Sequence, residues 1–162
     1  MKNKGFTLIE LMIVIGLIGV IAFFAWANLR GVGNQQELSN TTRSITALLR
    51  DAQQRSITQV DGRYWGVRFK SHSPVSEERD YYFLFNSPSI SSPSLATTTL
   101  ITLKSFIKLA TTSTVIFKQI SGELSLVGCP AVFASSTIRL SVLNNPQSSS
   151  TIKVFCNGRI EF

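Results

Sequence analysis

The chain has 162 residues, a formal net charge of +7, two cysteines and one histidine. This length suits one domain with a buried core, whereas so few cysteines and histidines argue against a structural zinc site, which takes about four nitrogen or sulfur ligands. The basic excess is modest, because loss of the two lysines before residue 6 would leave +5, and net charge alone does not choose between nucleic acid, anionic lipid and acidic protein as a partner.

The first predicted element is an apolar helix that follows a short basic segment. Residues 11–27 carry no charge and residues 6–29 carry only that of Glu10, so this stretch is long enough to cross a bilayer. Lys2 and Lys4 precede it, which favours a cytoplasmic amino terminus and a carboxyl-terminal part outside that membrane. A carboxylate in hydrocarbon costs roughly 2.5 to 3.5 kcal/mol on insertion scales, so Glu10 is expected to have a partner.

The chain's own cleaved terminus is one candidate partner for Glu10. No Lys or Arg lies between Lys4 and Arg30, but a cut after Gly5 would give Phe6 a new α-ammonium group four residues from Glu10, in the same copy or in a neighbouring one. A secretory signal peptide, or a plain anchor with an accidental glutamate, is the alternative. It is disfavoured because a secretory cleavage site follows the apolar stretch rather than preceding it.

The segment Lys-Gly-Phe-Thr-Leu-Ile-Glu at residues 4–10 resembles the class III prepilin signal of type IV pilins and type II secretion pseudopilins. The resemblance implies removal of residues 1–5 by a prepilin peptidase after Gly5, and N-methylation of Phe6. It also implies that Glu10 sets subunit registration in a helical filament whose core is built from residues 6–29. Residues 30–162 would then form an exported domain.

A second helical stretch is predicted at residues 35–60. Apolar or small residues recur at spacings of three and four, at Leu38, Thr42, Ile45, Leu48, Leu49, Ala52 and Ser56, which indicates one buried face. Gly31 and Gly33 would weaken the helix just before it, so a hinge or a locally melted turn is expected there. The helix is expected to end near Asp61 and Gly62.

From residue 63 onward the pattern changes to alternation with a period of two, which predicts strands. Seven runs are predicted, at residues 65–69, 81–85, 100–107, 115–120, 123–127, 138–143 and 152–155. The Ser, Thr and Pro-rich segments 87–99 and 144–151 are predicted to be surface loops. One helix followed by strands indicates an α+β fold with the helix laid across an antiparallel sheet.

The carboxyl-terminal part resembles the GspH/FimT branch of the pseudopilins. The similarity lies in residues 117–122, in residues 138–142, and in residues 152–160, which end in Gly158-Arg159. It implies the pilin fold, in which one long amino-terminal helix has a membrane half and an amphipathic half packed on an antiparallel β-sheet domain.

Cys129 and Cys156 both lie in the part expected to be exported, where thiols are commonly oxidised. A disulfide between them is favoured, and two separate buried thiols remain the alternative.

No enzyme signature is visible. His72 stands alone in a predicted loop, and Glu77, Glu78 and Asp80 form an acidic cluster with Arg79 that is expected to be a solvated loop. The sequence therefore predicts no catalytic residue, no cofactor and no metal site.

The predicted function is that of a structural filament subunit, most like a minor pseudopilin, located in the cytoplasmic (inner) membrane and then in an extracytoplasmic filament. The implied partners are the prepilin peptidase and methylase, other pilin or pseudopilin subunits, and an inner-membrane assembly platform. Two alternatives stay open, a major pilin and a DNA-capturing minor pilin.

For the DNA alternative, Arg139, Lys153 and Arg159 are the candidate phosphate-binding residues. Glu161, two positions after Arg159, opposes this because a carboxylate repels phosphate. An ordinary charged face of the sheet is the competing interpretation.

Overall fold

The structure is a computed structural model that describes residues 7–72, 78–90, 96–125, 135–143 and 145–162. Side chains are described for the same residues except 25–32, 96–98 and 146. Within these ranges lie one long α-helix, one short 3₁₀ helix and eight strands. The chain divides into two units, Met1–Gln36 and Glu37–Phe162.

The first unit contains the start of helix α1, which runs Leu8–Ile57. Every large apolar side chain from Leu8 to Phe24 is exposed, with exposed fractions between 44 and 78%. Surface of this kind is normally covered by lipid or by another protein. Among the residues that the structure describes, no helix combines the length and hydropathy required of a membrane span. The membrane crossing at residues 6–29 therefore stays a prediction.

Helix α1 contributes one face to the core of the second unit. Its buried residues are Leu38, Thr42, Ile45, Thr46, Leu49, Ala52 and Ser56. The spacing predicted this face, with two differences, since Leu48 is only half-buried and Thr46 is buried. The hydroxyls of Thr42 and Thr46 reach the core without loss of hydrogen bonds because each donates to the carbonyl four residues earlier, at 2.8 and 2.9 Å.

Two antiparallel sheets make up the rest of the second unit. The strands are β1 (Tyr64–Lys70), β2 (Tyr81–Ser87), β3 (Ala96–Thr102), β4 (Ile107–Leu109), β5 (Ser113–Ile116), β6 (Ser135–Val142), β7 (Asn145–Phe155) and β8 (Ile160–Glu161). The first sheet has the order β3-β2-β1-β5 and the second the order β4-β6-β7-β8. In the longest pairing, Ser135 lies opposite Phe155 and Ser141 opposite Ser149.

One apolar cluster joins the helix to both sheets. It includes Ile45 and Leu49 from α1, Phe69 from β1, and Leu140 and Ile152 from the second sheet, all fully buried. The α+β prediction, with an amino-terminal helix packed on antiparallel strands, is confirmed. Burial also raises the pKa of the phenol of Tyr82, which stacks on Phe69 with ring centroids 6.1 Å apart.

The end of the helix uses three left-handed residues in close succession. Helix α1 ends at Ile57, and a 3₁₀ helix covers Val60–Gly62. Gln59, Asp61 and Gly62 have φ values of 53°, 58° and 61°. These left-handed residues redirect the chain into β1 near the Asp61 and Gly62 positions that the sequence indicated.

Three predictions of local structure are wrong. Helix α1 is continuous over Gly31 and Gly33, so the break expected at these two residues does not occur. Residues 145–151 form the first part of β7 rather than a loop, because this polar segment pairs with β6 and its mostly polar side chains need not enter a core. Strand β3 likewise begins at Ala96, inside the other predicted loop.

Candidate assembly and binding sites

Glu10 lies in the first turn of α1, where it forms a reciprocal hydrogen-bonded cap with Thr7. The backbone N–H of Glu10 donates to Thr7 Oγ1 at 3.3 Å. In return, Glu10 Oε2 accepts from the backbone N–H of Thr7 at 3.3 Å and from its hydroxyl at 3.2 Å. This arrangement is a capping box, which satisfies two N–H groups that a helix start would otherwise leave unpaired.

The capping box gives Glu10 a local role that the sequence analysis missed. The carboxylate lies in the first turn of the helix and accepts from Thr7 before any neighbouring subunit approaches. The spacing of Thr7 and Glu10, Thr-x-x-Glu before an apolar run, carries the signal for this motif. Gly5 and Phe6 lie outside the described residues, so the cleavage site and the α-ammonium partner remain predictions.

Two of the three predicted phosphate-binding residues share an exposed face of the second sheet. Arg139 on β6 lies opposite Thr151, and Lys153 on β7 lies opposite Thr137, so the two cations are diagonal neighbours across one strand pair. Both are exposed. Diagonal positions lie about 7 to 8 Å apart, which is close enough for both side chains to contact one anionic partner.

Arg159, the third candidate, lies in the turn between β7 and β8 and its charge is already paired. Its Nε lies 3.2 Å from Oε1 of Glu161, and its guanidinium lies 4.4 Å above the ring of Phe155. Phe155 is on the same face of β7 as Lys153, two residues away. Glu161 also lies opposite Lys153 in the pairing of β7 with β8. All three cations therefore reach one face, with a carboxylate between two of them.

The Gly158-Arg159 turn is fixed by a contact from the helix. Gln53 Nε2 donates to the carbonyl oxygens of Gly122 and Gly158, both at 2.9 Å. Gly158 has φ +83°, and a Cβ placed there would lie 2.5 Å from the carbonyl oxygen of Gly122. The turn therefore requires glycine at residue 158. No local pattern in the sequence could have shown this contact of Gln53, because its two partners, Gly122 and Gly158, lie 69 and 105 residues away along the chain.

The acidic cluster and His72 differ from prediction. Asp80 is buried rather than solvated, with Oδ1 accepting from the backbone N–H of His72 at 2.9 Å and Oδ2 from that of Leu109 at 2.7 Å. Its carboxylate therefore links the first sheet to β4 of the second. His72 does not stand alone, because its side chain is mostly buried and its Nε2 lies 2.9 Å from Glu78 Oε2. Glu77 lies outside the described residues.

No group of three or more potential metal ligands exists among the residues that the structure describes. Cys129 lies outside those residues, so its pairing with Cys156 stays a prediction.

Residues 1–26 match the family model for the prokaryotic N-terminal methylation motif. The chain is also 34% identical over 71 residues to "Type II secretion system protein H" of Aeromonas hydrophila. The resemblance to pilins and pseudopilins is confirmed. The aligned part covers 44% of this pseudopilin-like chain and 38% of that relative, so less than half of either protein is compared. No solved structure matches the chain.

Proposed function

We propose that the chain is a structural subunit of a type II secretion-like or type IV pilus filament. Within this class, the subtype that we propose is a minor pseudopilin. The observation that carries the proposal is the methylation motif at residues 1–26, with Glu10 held at the start of a long helix. The similarity to the Aeromonas protein supports the secretion branch.

In this proposal a prepilin peptidase cuts after Gly5 and a methylase modifies Phe6. The subunit is held in the cytoplasmic membrane as a single-pass protein, with residues 30–162 on the extracytoplasmic side of that membrane. An assembly platform then adds it to the filament. The exposed apolar side chains of residues 8–24 would then pack against other pilin-like subunits. A disulfide between Cys129 and Cys156 would brace the exported domain.

Glu10 fixes the axial position of the subunit in the proposed filament. In a filament core only certain offsets place a cationic α-amino group beside this carboxylate, and an offset that leaves the charge unpaired in apolar surroundings is penalised. The capping box with Thr7 holds the carboxylate on the helix end until that partner arrives.

A substitution that removes only the charge tests this role. Glu10→Gln keeps an oxygen that can accept from Thr7, so the helix start and membrane insertion should remain near normal. Incorporation into sheared or cross-linked filaments should fall strongly. The matched control is Glu123→Gln, an exposed carboxylate on the globular part. Normal incorporation of Glu10→Gln would contradict the registry role.

DNA capture is the second candidate function, favoured by the convergence of Arg139, Lys153 and Arg159 on one face. Against it, Glu161 pairs with Arg159 and lies beside Lys153. Fluorescence anisotropy of the full-length chain in detergent with double-stranded DNA distinguishes the two, because phosphate contacts weaken as salt rises. Binding that Lys153→Ala weakens and Glu161→Gln strengthens would favour DNA capture, and no binding at low salt would exclude it.

A further inference from the structure

The amphipathic part of α1 carries a straight, exposed stripe of residues that no described part of the domain covers. Its members recur at alternating intervals of three and four, and all are exposed: Asn40, Arg43, Ala47, Arg50, Gln54 and Ile57. We call this set the arginine stripe. It lies wholly within the second unit and extends about 25 Å along the helix.

The two arginines of the stripe have no ion-pair partner among the described residues. On a helix only residues three or four positions away are neighbours, and around Arg43 and Arg50 these positions hold Ser, Asn, Thr, Ala and Gln. Arg55, one turn further on, differs because Asp51 pairs with it at 3.0 Å. Arg43 and Arg50 therefore present free positive charge about 10.5 Å apart, with the small Ala47 between them.

Almost all described carboxylates of the same domain already contact a basic side chain. Ion pairs join Glu37 to Lys104, Asp51 to Arg55, Asp80 to Lys108, Glu123 to Lys118 and Glu161 to Arg159. Glu78 contacts His72, with Oε2 2.9 Å from Nε2. Among the side-chain carboxylates described in the second unit, only Asp61 has no basic side chain within ion-pair distance. In that described part, a second copy of this chain would offer the stripe a single carboxylate without such a neighbour.

We propose that the arginine stripe docks onto an acidic helix of a different pilin-like subunit, so that this chain is placed in its filament by a heterotypic contact. The proposal rests on the proposed filament function and names the partner's chemistry. Residues at alternating spacings of three and four lie along one side of a helix, so all members of the stripe can face one neighbouring helix. Two acidic residues seven positions apart on the partner helix would match the spacing of Arg43 and Arg50.

The stripe fits a protein better than a nucleic acid. DNA carries a negative charge about every 1.7 Å of its axis, whereas the stripe has two cations and otherwise neutral side chains along its length. The arrangement suits a few placed carboxylates, each of which can accept paired hydrogen bonds from a guanidinium.

Site-specific photo-crosslinking in the native host tests the proposal on the full-length chain. The photoreactive residue p-benzoylphenylalanine replaces Ala47, and mass spectrometry identifies the cross-linked protein and position. We expect a product with a different pilin-like subunit, next to an Asp or Glu. Arg43→Glu or Arg50→Glu should lower its yield by about tenfold, and Lys at the partner's acidic position should restore it.

Arg79→Glu is the matched control, because Arg79 is an exposed cation on another surface without an ion pair in the described part of the chain. Its cross-link yield should equal that of the parent chain. A product with a second copy of this chain, with nucleic acid or with lipid would overturn the proposal. So would a yield that the charge reversals leave unchanged.

A second photoreactive position separates this proposal from the proposed function. The same residue at Leu17, in the apolar part of the helix, reports packing against any pilin-like neighbour. Cross-links from residue 17 without any from residue 47 would overturn only the docking of the stripe. No cross-link to a pilin-like subunit from either position would overturn both proposals.

Discussion

Replacement of the buried Asp80 by Asn should destabilise the domain far more than the same replacement of an exposed Asp. The carboxylate is 1% exposed, and its two oxygens accept from the backbone N–H groups of His72 and Leu109 at 2.9 and 2.7 Å. An Asn side chain has only one acceptor oxygen, so one of these two backbone N–H groups would keep its acceptor. The other would face the NH₂ group of Asn, and both of those donors would be left unpaired. The contact joins the two sheets, so the loss affects the whole domain.

The magnitude follows from the groups left unpaired. A buried donor without an acceptor costs about 1 to 3 kcal/mol. The loss of charge also removes the counter-ion of Lys108, whose Nζ lies 3.6 Å from Asp80 Oδ1 and whose side chain is only 18% exposed. Together these effects should lower the free energy of unfolding by about 2 to 4 kcal/mol.

Urea unfolding of the full-length chain in detergent, followed by tryptophan fluorescence, measures this effect. With a slope of about 2 kcal/mol per molar urea, in the middle of the usual range, the midpoint should fall by about 1 to 2 M. The matched control is Asp61→Asn, since Asp61 is exposed and Asn tolerates its left-handed backbone at φ 58°. A midpoint for Asp80→Asn that equals that of the Asp61→Asn control would refute the reasoning.

Three further changes test individual contacts. Gln53→Met removes both hydrogen bonds to the glycine carbonyls and should cost about 1 to 3 kcal/mol by urea unfolding, against less than about 0.5 for the exposed Gln54→Met. Gly158→Ala should cost clearly more than Gly62→Ala, because both have positive φ but only the Cβ at residue 158 meets backbone at 2.5 Å; equal losses would contradict this. Thr7→Ala should destabilise the first turn of α1 by about 1 kcal/mol, seen as faster amide exchange at Glu10, whereas Thr7→Ser should retain protection.

The helix and most strands could be predicted because their buried faces repeat at fixed local intervals. The spacing of Leu38, Ile45, Leu49 and Ala52 gave the face of α1 that packs on the sheets. The strand at residues 145–151 escaped prediction because Ser, Gln and Pro give no apolar alternation. The segment becomes a strand because β6 pairs with it, and the sequence of the segment alone does not show this pairing.

The candidate sites divide in the same way between local and distant determinants. The capping box of Thr7 and Glu10 is encoded within four residues and could have been predicted from them. The burial of Asp80 and the contact of Gln53 with Gly158 could not, because their partners lie 29 and 105 residues away along the chain. Single-sequence periodicity carries no information on such contacts.

The intact mass of the chain purified from native membranes tests the filament account most directly. The account predicts a chain that begins at Phe6 and carries one added methyl group at its amino terminus, and a Gly5→Leu variant that keeps residues 1–5. A native chain that still begins at Met1, or one cleaved after the apolar stretch, would contradict the central claim that this protein is processed for filament assembly.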